Sequence, residues 1–163
     1  MIKSLLMSCL LLTAMTGTAY AQSTSVDKTT IIRSLAPIKY LAQHSGQARA
    51  LDLDIEFQTG SSRLTQRAKR QLEIVAEALK DRKLSAESFQ IIGHTDASGA
   101  AKMNLTLSQK RAQSVYDWLV LHGGIGKKRL VSSGLGETRL KNPVVPNGRV
   151  NRRVEFVLIR SGN

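Results

Sequence analysis

The stretch from Gln90 to Leu121 constrains this chain most, because an acid sits where a strand turns toward a long helix and the apolar stripe of that helix is broken by polar groups. Gln90-Ile91-Ile92 is strand-like and runs into Gly93-His94-Thr95-Asp96; Gly99 then breaks the chain before a helical pattern from Met103 to Leu121. At the 3.6-residue period Asn104, Leu107, Arg111, Val115, Trp118 and Leu119 share one broad face. Asn104 and Arg111 interrupt it. A buried, unpaired carboxylate or guanidinium is costly, so Asp96 and Arg111 require partners. Either the two form a structural ion pair that holds the turn against the helix, or they face a shared cleft and grip a ligand carrying both an ammonium and a carboxylate. Arginine suits the second role, since its planar fork binds a carboxylate through two parallel charge-assisted hydrogen bonds.

Around this core, Leu51-Asp52-Leu53-Asp54-Ile55-Glu56-Phe57 alternates strictly, which predicts a half-buried strand with its acids outward. Thr65 is an N-cap for a helix lined by Ala68, Leu72, Val75, Ala76 and Leu79. Phe89 to His94 is the second strand, Met103 to Leu121 the second helix, and Gly123-Gly124 its stop. Arg129 to Ser133 and Arg153 to Ile159 complete the strands, with a Pro- and Gly-rich loop at 141–148 between them. The order βαβαββ with helices on one face predicts a two-layer α/β (α+β) sandwich. Arg63, Arg67, Lys69 and Arg70 read as a solvated surface.

Gly93-His94-Thr95-Asp96, Gly99, Asn104, Leu107-Ser108, Arg111-Ala112 and Val115, then Gly134-Leu135-Gly136-Glu137 and Asn151-Arg152-Arg153-Val154-Glu155, resemble in order the OmpA-like peptidoglycan-binding domain over residues 51–159. The resemblance implies a mixed sheet. It also implies that Asp96 and Arg111 bind the diaminopimelate of the peptidoglycan stem peptide. Its free end is a zwitterion, which matches the ligand-gripping alternative: Asp96 for the ammonium, Arg111 for the carboxylate. Further candidate positions stand beside these, Arg152 and the Gly60 loop by the same resemblance. Asn104 orients the turn or reaches the ligand, Thr95 and Ala97 offer backbone N–H groups to its carboxylate, and Arg152 lies nearby. Gly60, in the loop Gln58-Thr59-Gly60-Ser61, belongs to the opposite wall, although Gln58 stands where the family often has an acid.

The first 21 residues read as a secretory signal peptide: Lys3, an apolar run from Leu5 to Met15, and the small-x-small site Ala19-Tyr20-Ala21. A lipoprotein reading of Leu6-Met7-Ser8-Cys9 has too short an apolar core before the cysteine. Cleavage after Ala21 removes the single cysteine, so disulfides and thiol chemistry are not expected. The expected layout is 1–21 signal peptide, 22–50 N-terminal extension, 51–160 domain and 161–163 tail. Within the extension, Ile31 to Ala36 is a short helical segment stopped by Pro37, with another turn from Ile38 to Gln43; it packs on the domain or docks a partner.

Loss of Lys3 takes the formal charge from +12 to +11, which favours an anionic partner. An exported chain meets little nucleic acid, and its sparse aromatics argue against base-stacking platforms, so no nucleic-acid role is expected. No later segment has the ~18 apolar residues of a membrane helix. His44, His94 and His122 lack metal-ligand spacing and no serine sits in a nucleophile elbow, so neither metal, cofactor nor catalysis is expected. Pairing His94 with Asp96 as acid and base is disfavoured, because neither residue need converge on a substrate. The expectation is a periplasmic, non-catalytic protein anchoring itself or an envelope complex to peptidoglycan. The alternative is a basic adaptor that recruits a protein partner through the extension.

Overall fold

The computed structural model describes residues 26–36 and 49–159; the signal-peptide, Ile38–Gln43 and tail assignments lie outside these residues. In chain order the elements are α1 (Lys28–Leu35), β1 (Ala50–Leu53), α2 (Gln66–Lys80), β2 (Ser88–His94), α3 (Ala101–Leu121), β3 (Leu130–Gly136) and β4 (Val154–Ile159). The strands form one sheet in the order β1-β4-β2-β3. β4 runs antiparallel to both neighbours and β2 parallel to β3, so the sheet is mixed, as expected.

Directly opposed residues share a sheet face. Phe89 opposite Leu158, Ile91 opposite Phe156, and Leu53 opposite Val154 are all buried on the side covered by the helices. Into that side α2 presents Ala68, Leu72, Val75, Ala76 and Leu79, the stripe read from its period. Thr65 caps α2 as predicted, its hydroxyl accepting from the Ala68 N–H at 3.2 Å. Helix α3 contributes Ala112, Val115 and Leu119. One two-layer core results.

Helix α1 is part of that core. Ile31 and Leu35 are fully buried, and the helix lies against α2 and β1. Asp27 caps its start by accepting from the Thr30 N–H at 2.8 Å. At its other end Arg49 donates to the Ser34 and Arg33 carbonyls at 2.8 and 2.6 Å, satisfying groups that a helix end leaves orphaned. Helix α1 therefore turns its apolar side into the fold.

Two strand boundaries differ from expectation by more than one residue. The first strand stops at Leu53 instead of Phe57, because its partner β4 begins at Val154, opposite Leu53, and offers no ladder beyond. Burial still alternates through Ile55, and Phe57 makes one isolated bridge to Leu64. The third strand runs on past Ser133 through Gly136. Its glycines let α3 lie against the sheet: a Cβ on Gly134 would stand 2.3 Å from the Gln109 nitrogen, and one on Gly93 2.2 Å from the Ser108 carbonyl oxygen. A strand lacking side chains shows little periodicity, which is why Ser133 marks the end of the visible pattern. Helix α3 begins two residues earlier than predicted, at Ala101.

Candidate functional site

β2 carries Asp96 to the edge of the helix layer, and the turn beyond it is fixed by its own backbone. The Thr95 N–H donates to the Gly136 carbonyl at 2.9 Å and the Ala97 N–H to the Pro146 carbonyl at 3.1 Å. Both amides are spent on the fold, so the expected role of Thr95 and Ala97 as donors to a ligand carboxylate does not hold in this geometry. Thr95 contributes a buried hydroxyl instead, without a hydrogen-bond partner among the described residues. Asn104 lies 7 % exposed and donates through its amide to the Asp96 and Ser98 carbonyls at 3.3 and 2.9 Å and to Glu137 at 2.5 Å. These bonds tie the first turn of α3 to the turn after β2.

Asp96 is 8 % exposed. Its carboxylate accepts from the Ser98 N–H at 3.1 Å and from Arg152 Nη1 at 2.5 Å. Burial pushes the Asp96 carboxyl up, but the Arg152 guanidinium and the Ser98 N–H outweigh it and hold the group below its ordinary 3.8. It is ionised at neutral pH.

Arg111 makes no ion pair with Asp96, and none with any acid among the described residues. The structural ion pair expected between Asp96 and Arg111 therefore does not form; Asp96 is paired instead with Arg152, a partner the sequence did not assign to it. Arg111 donates from Nε to the Ser61 carbonyl at 3.1 Å, and its guanidinium lies over the Phe57 ring, 5.0 Å from the centroid. Its two terminal nitrogens have no hydrogen-bond partner among the described residues. Burial, followed by repulsion from Arg152, lowers its pKa, and Asp96 opposes this; an arginine stays charged regardless.

Arg111 and Arg152 border a cleft of about 380 Å³, lined also by Ile55, Phe57, Thr59, Gly60 and His94, with the charged Asp54, Glu56, Arg149 and Arg153. Gly60 lines it as expected, in a turn needing a φ of +64°. Arg149 pairs with Asp54 and Arg153 with Asp52, both at 2.9 Å, so these cations are already matched. Among the described residues lining the cleft, Arg111 is the cation without an acid partner. His94 does not pair with Asp96: it is buried, and Nε2 lies 3.0 Å from Glu155. Burial and Arg153 hold its pKa below 6.5.

Sequence reasoning missed Phe57 beneath Arg111, the Ser61 carbonyl, and Arg149. It also missed Asn151, fully buried, which fastens the loop behind Asp96 by donating to the Asn142, Val145 and Pro146 carbonyls and accepting from the Asn142 N–H. The run Asn151-Arg152-Arg153 signalled the place but not the work of each residue. No cluster of three or more metal-ligating side chains exists among the described residues.

With this strand–turn–helix cleft in place, the match of residues 56–153 to the OmpA family takes in Gly60, Asp96, Arg111 and Arg152, and the chain belongs to that family. It is 34 % identical over 110 residues to outer membrane porin F of Pseudomonas aeruginosa, covering 64 % of this chain and 30 % of the porin. Identity is also 34 % over 109 residues to the peptidoglycan-associated lipoprotein of the same organism, covering 61 % of this chain and 58 % of the lipoprotein. The chain thus spans less than two thirds of the length of either relative. The periplasmic domain of Helicobacter pylori MotB shares the fold at 22 % identity, with a TM-score of 0.63 over 74 % of this chain and 81 % of that domain.

Proposed function

We propose that this protein binds peptidoglycan non-covalently, through the diaminopimelate of the stem peptide, and anchors itself or an associated envelope complex to the cell wall. The observation that carries this reading is a pair of unlike charges: Arg111 lining the cleft with its fork free among the described residues, and Asp96, buried and ionised, held behind the cleft-lining Arg152. A free diaminopimelate end is a zwitterion, and each of its charges has a counterpart here. The carboxylate meets Arg111 through charge-assisted hydrogen bonds and the ammonium meets Asp96. Each contact is worth on the order of 1.5–3 kcal/mol gross, less the desolvation of both partners. Binding to one stem is therefore modest, and many stems on one polymer supply retention. The name of the lipoprotein relative, which associates that protein with peptidoglycan, supports the same reading.

No step of catalysis belongs to this proposal, and the signal peptide read at residues 1–21 directs the chain to the periplasm. The adaptor alternative draws less support, since the apolar side of α1 is buried against α2 and β1. No described helix is long and apolar enough to cross a membrane.

The test is co-sedimentation with purified diaminopimelate-type sacculi of the wild type, Asp96→Ala and Arg111→Ala at low and moderate salt. The expected result is loss of binding in both variants at both salts. Binding retained by both variants and removed by salt alone would assign retention to the net positive charge instead.

A further inference from the structure

Asp96 does not line the cleft; Arg152, bound to it, does. From that arrangement we infer that Arg152 is a built-in competitor for the ligand's ammonium, which must displace the guanidinium from Asp96 before the site can close on its ligand. The inference rests on the zwitterion reading above and adds a specificity-determining residue to it.

The two arginines beside Asp96 are held in different ways. Arg111 is fixed by the Ser61 carbonyl and the Phe57 ring, so its position is set before a ligand arrives. Arg152 rises from a rigid base, the turn Arg149–Asn151, whose Asn151 is buried and hydrogen-bonded throughout. Its side chain, by contrast, is 43 % exposed and has Asp96 as its one hydrogen-bond partner among the described residues. It can swing out without disturbing backbone. Asp96 cannot follow, being 11 % exposed at its side chain and tied to the Ser98 N–H.

Binding is thus an exchange of cations at one carboxylate. A carboxylate-only ligand meets Arg111 but leaves the Asp96–Arg152 pair closed. A ligand with an ammonium at the right distance replaces the guanidinium, and the freed Arg152 turns to solvent. The closed pair lowers apparent affinity by the fraction of molecules in which Asp96 is available. For a partly exposed pair of this kind the penalty is at most about fivefold.

The experiment is calorimetric titration of the mature protein and its Arg152→Met variant with a diaminopimelate-containing stem tripeptide and with the same tripeptide acetylated on its free amine. Melting curves confirm that both proteins are folded. The expected result is that Arg152→Met binds the free-amine tripeptide about two- to fivefold more tightly, with no gain for the acetylated form. Unchanged or weaker binding of the free-amine tripeptide overturns the inference, since Arg152 would then be neutral or a ligand contact. An equal gain for both tripeptides also overturns it, because relief would not depend on the ammonium. Failure of the underlying reading looks different: neither protein binds the tripeptide, and Asp96→Ala and Arg111→Ala sediment with sacculi as the wild type does.

Discussion

Arg111 stacks over Phe57, its guanidinium carbon 5.0 Å from the ring centroid, while its Nε donates to the Ser61 carbonyl. The contact joins helix α3 to the segment after β1, Ser61 lying 50 residues from Arg111 in sequence. It aims the terminal nitrogens of the fork before any ligand is present, and preorganisation of this kind lowers the ordering cost of binding.

Arg111→Lys tests whether geometry or charge matters. Lysine keeps the charge but has neither the fork nor the planar face that rests on Phe57. Sacculus binding is expected to fall roughly tenfold or more, the equivalent of one charge-assisted hydrogen bond. The melting temperature should change little. Wild-type binding by this variant, in the same co-sedimentation, would show that a point charge suffices.

Replacing Gly134 by Ala strikes the packing that places Arg111. The new Cβ meets the Gln109 nitrogen at 2.3 Å and Ser108 Oγ at 2.5 Å, and the first of these is helix backbone that cannot rotate away. Helix α3 must shift, at a cost of about 1–3 kcal/mol. Denaturant unfolding should show that loss, and sacculus binding should weaken with it because Arg111 moves with the helix. Gly126→Ala, where nothing lies within 4 Å of the new Cβ, is the matched control and should leave both unchanged.

Much of this architecture was legible because it is written in periodicity. The stripe Ala68, Leu72, Val75, Ala76, Leu79 and the alternation of Leu51 to Phe57 each report burial directly, and the structure buries α2 as read. Strand ends were less legible, since β1 stops where β4 runs out and β3 continues through glycines that carry no pattern. At the site, the motif order located Asp96, Arg111, Asn104 and Arg152 in one neighbourhood. Which charge pairs with which was not written there. Asp96 lies 15 positions from Arg111 and 56 from Arg152, yet the pair forms with the distant residue because the turn Arg149–Asn151 folds back behind it.

Helix α1 offers a stability prediction that separates the extension from the site. Leu35 is fully buried against the core, so Leu35→Ala should cost about 2–5 kcal/mol. Arg49→Ala removes the donor to two carbonyls at the end of α1 and should cost about 0.5–1.5 kcal/mol per hydrogen bond lost. Neither residue lines the cleft, so sacculus binding by the folded fraction should match wild type. A Leu35→Ala protein as stable as wild type in urea would contradict the packing of α1.

His94 gives stability an acid-sensitive component near neutrality. Burial and Arg153 depress its folded pKa below 6.5, with Glu155 opposing them, so between the folded value and 6.5 the unfolded chain binds more protons. Stability is then complete above about 6.5 and declines as pH falls toward the folded pKa. His94→Gln, which keeps a hydrogen-bonding group near Glu155 without titrating, should flatten that decline in urea melts. Asp96 acts in a lower window with the same slope: its pKa is depressed below 3.8, so its contribution is present above that value and is lost as pH falls through the folded pKa. Because Arg152 is well exposed, that contribution is at most about 1 kcal/mol. Asp96→Asn should therefore make the acid limb below 3.8 shallower without altering the limb below 6.5. If His94→Gln left the profile between pH 5 and 7 unchanged, the buried imidazole would not be its source.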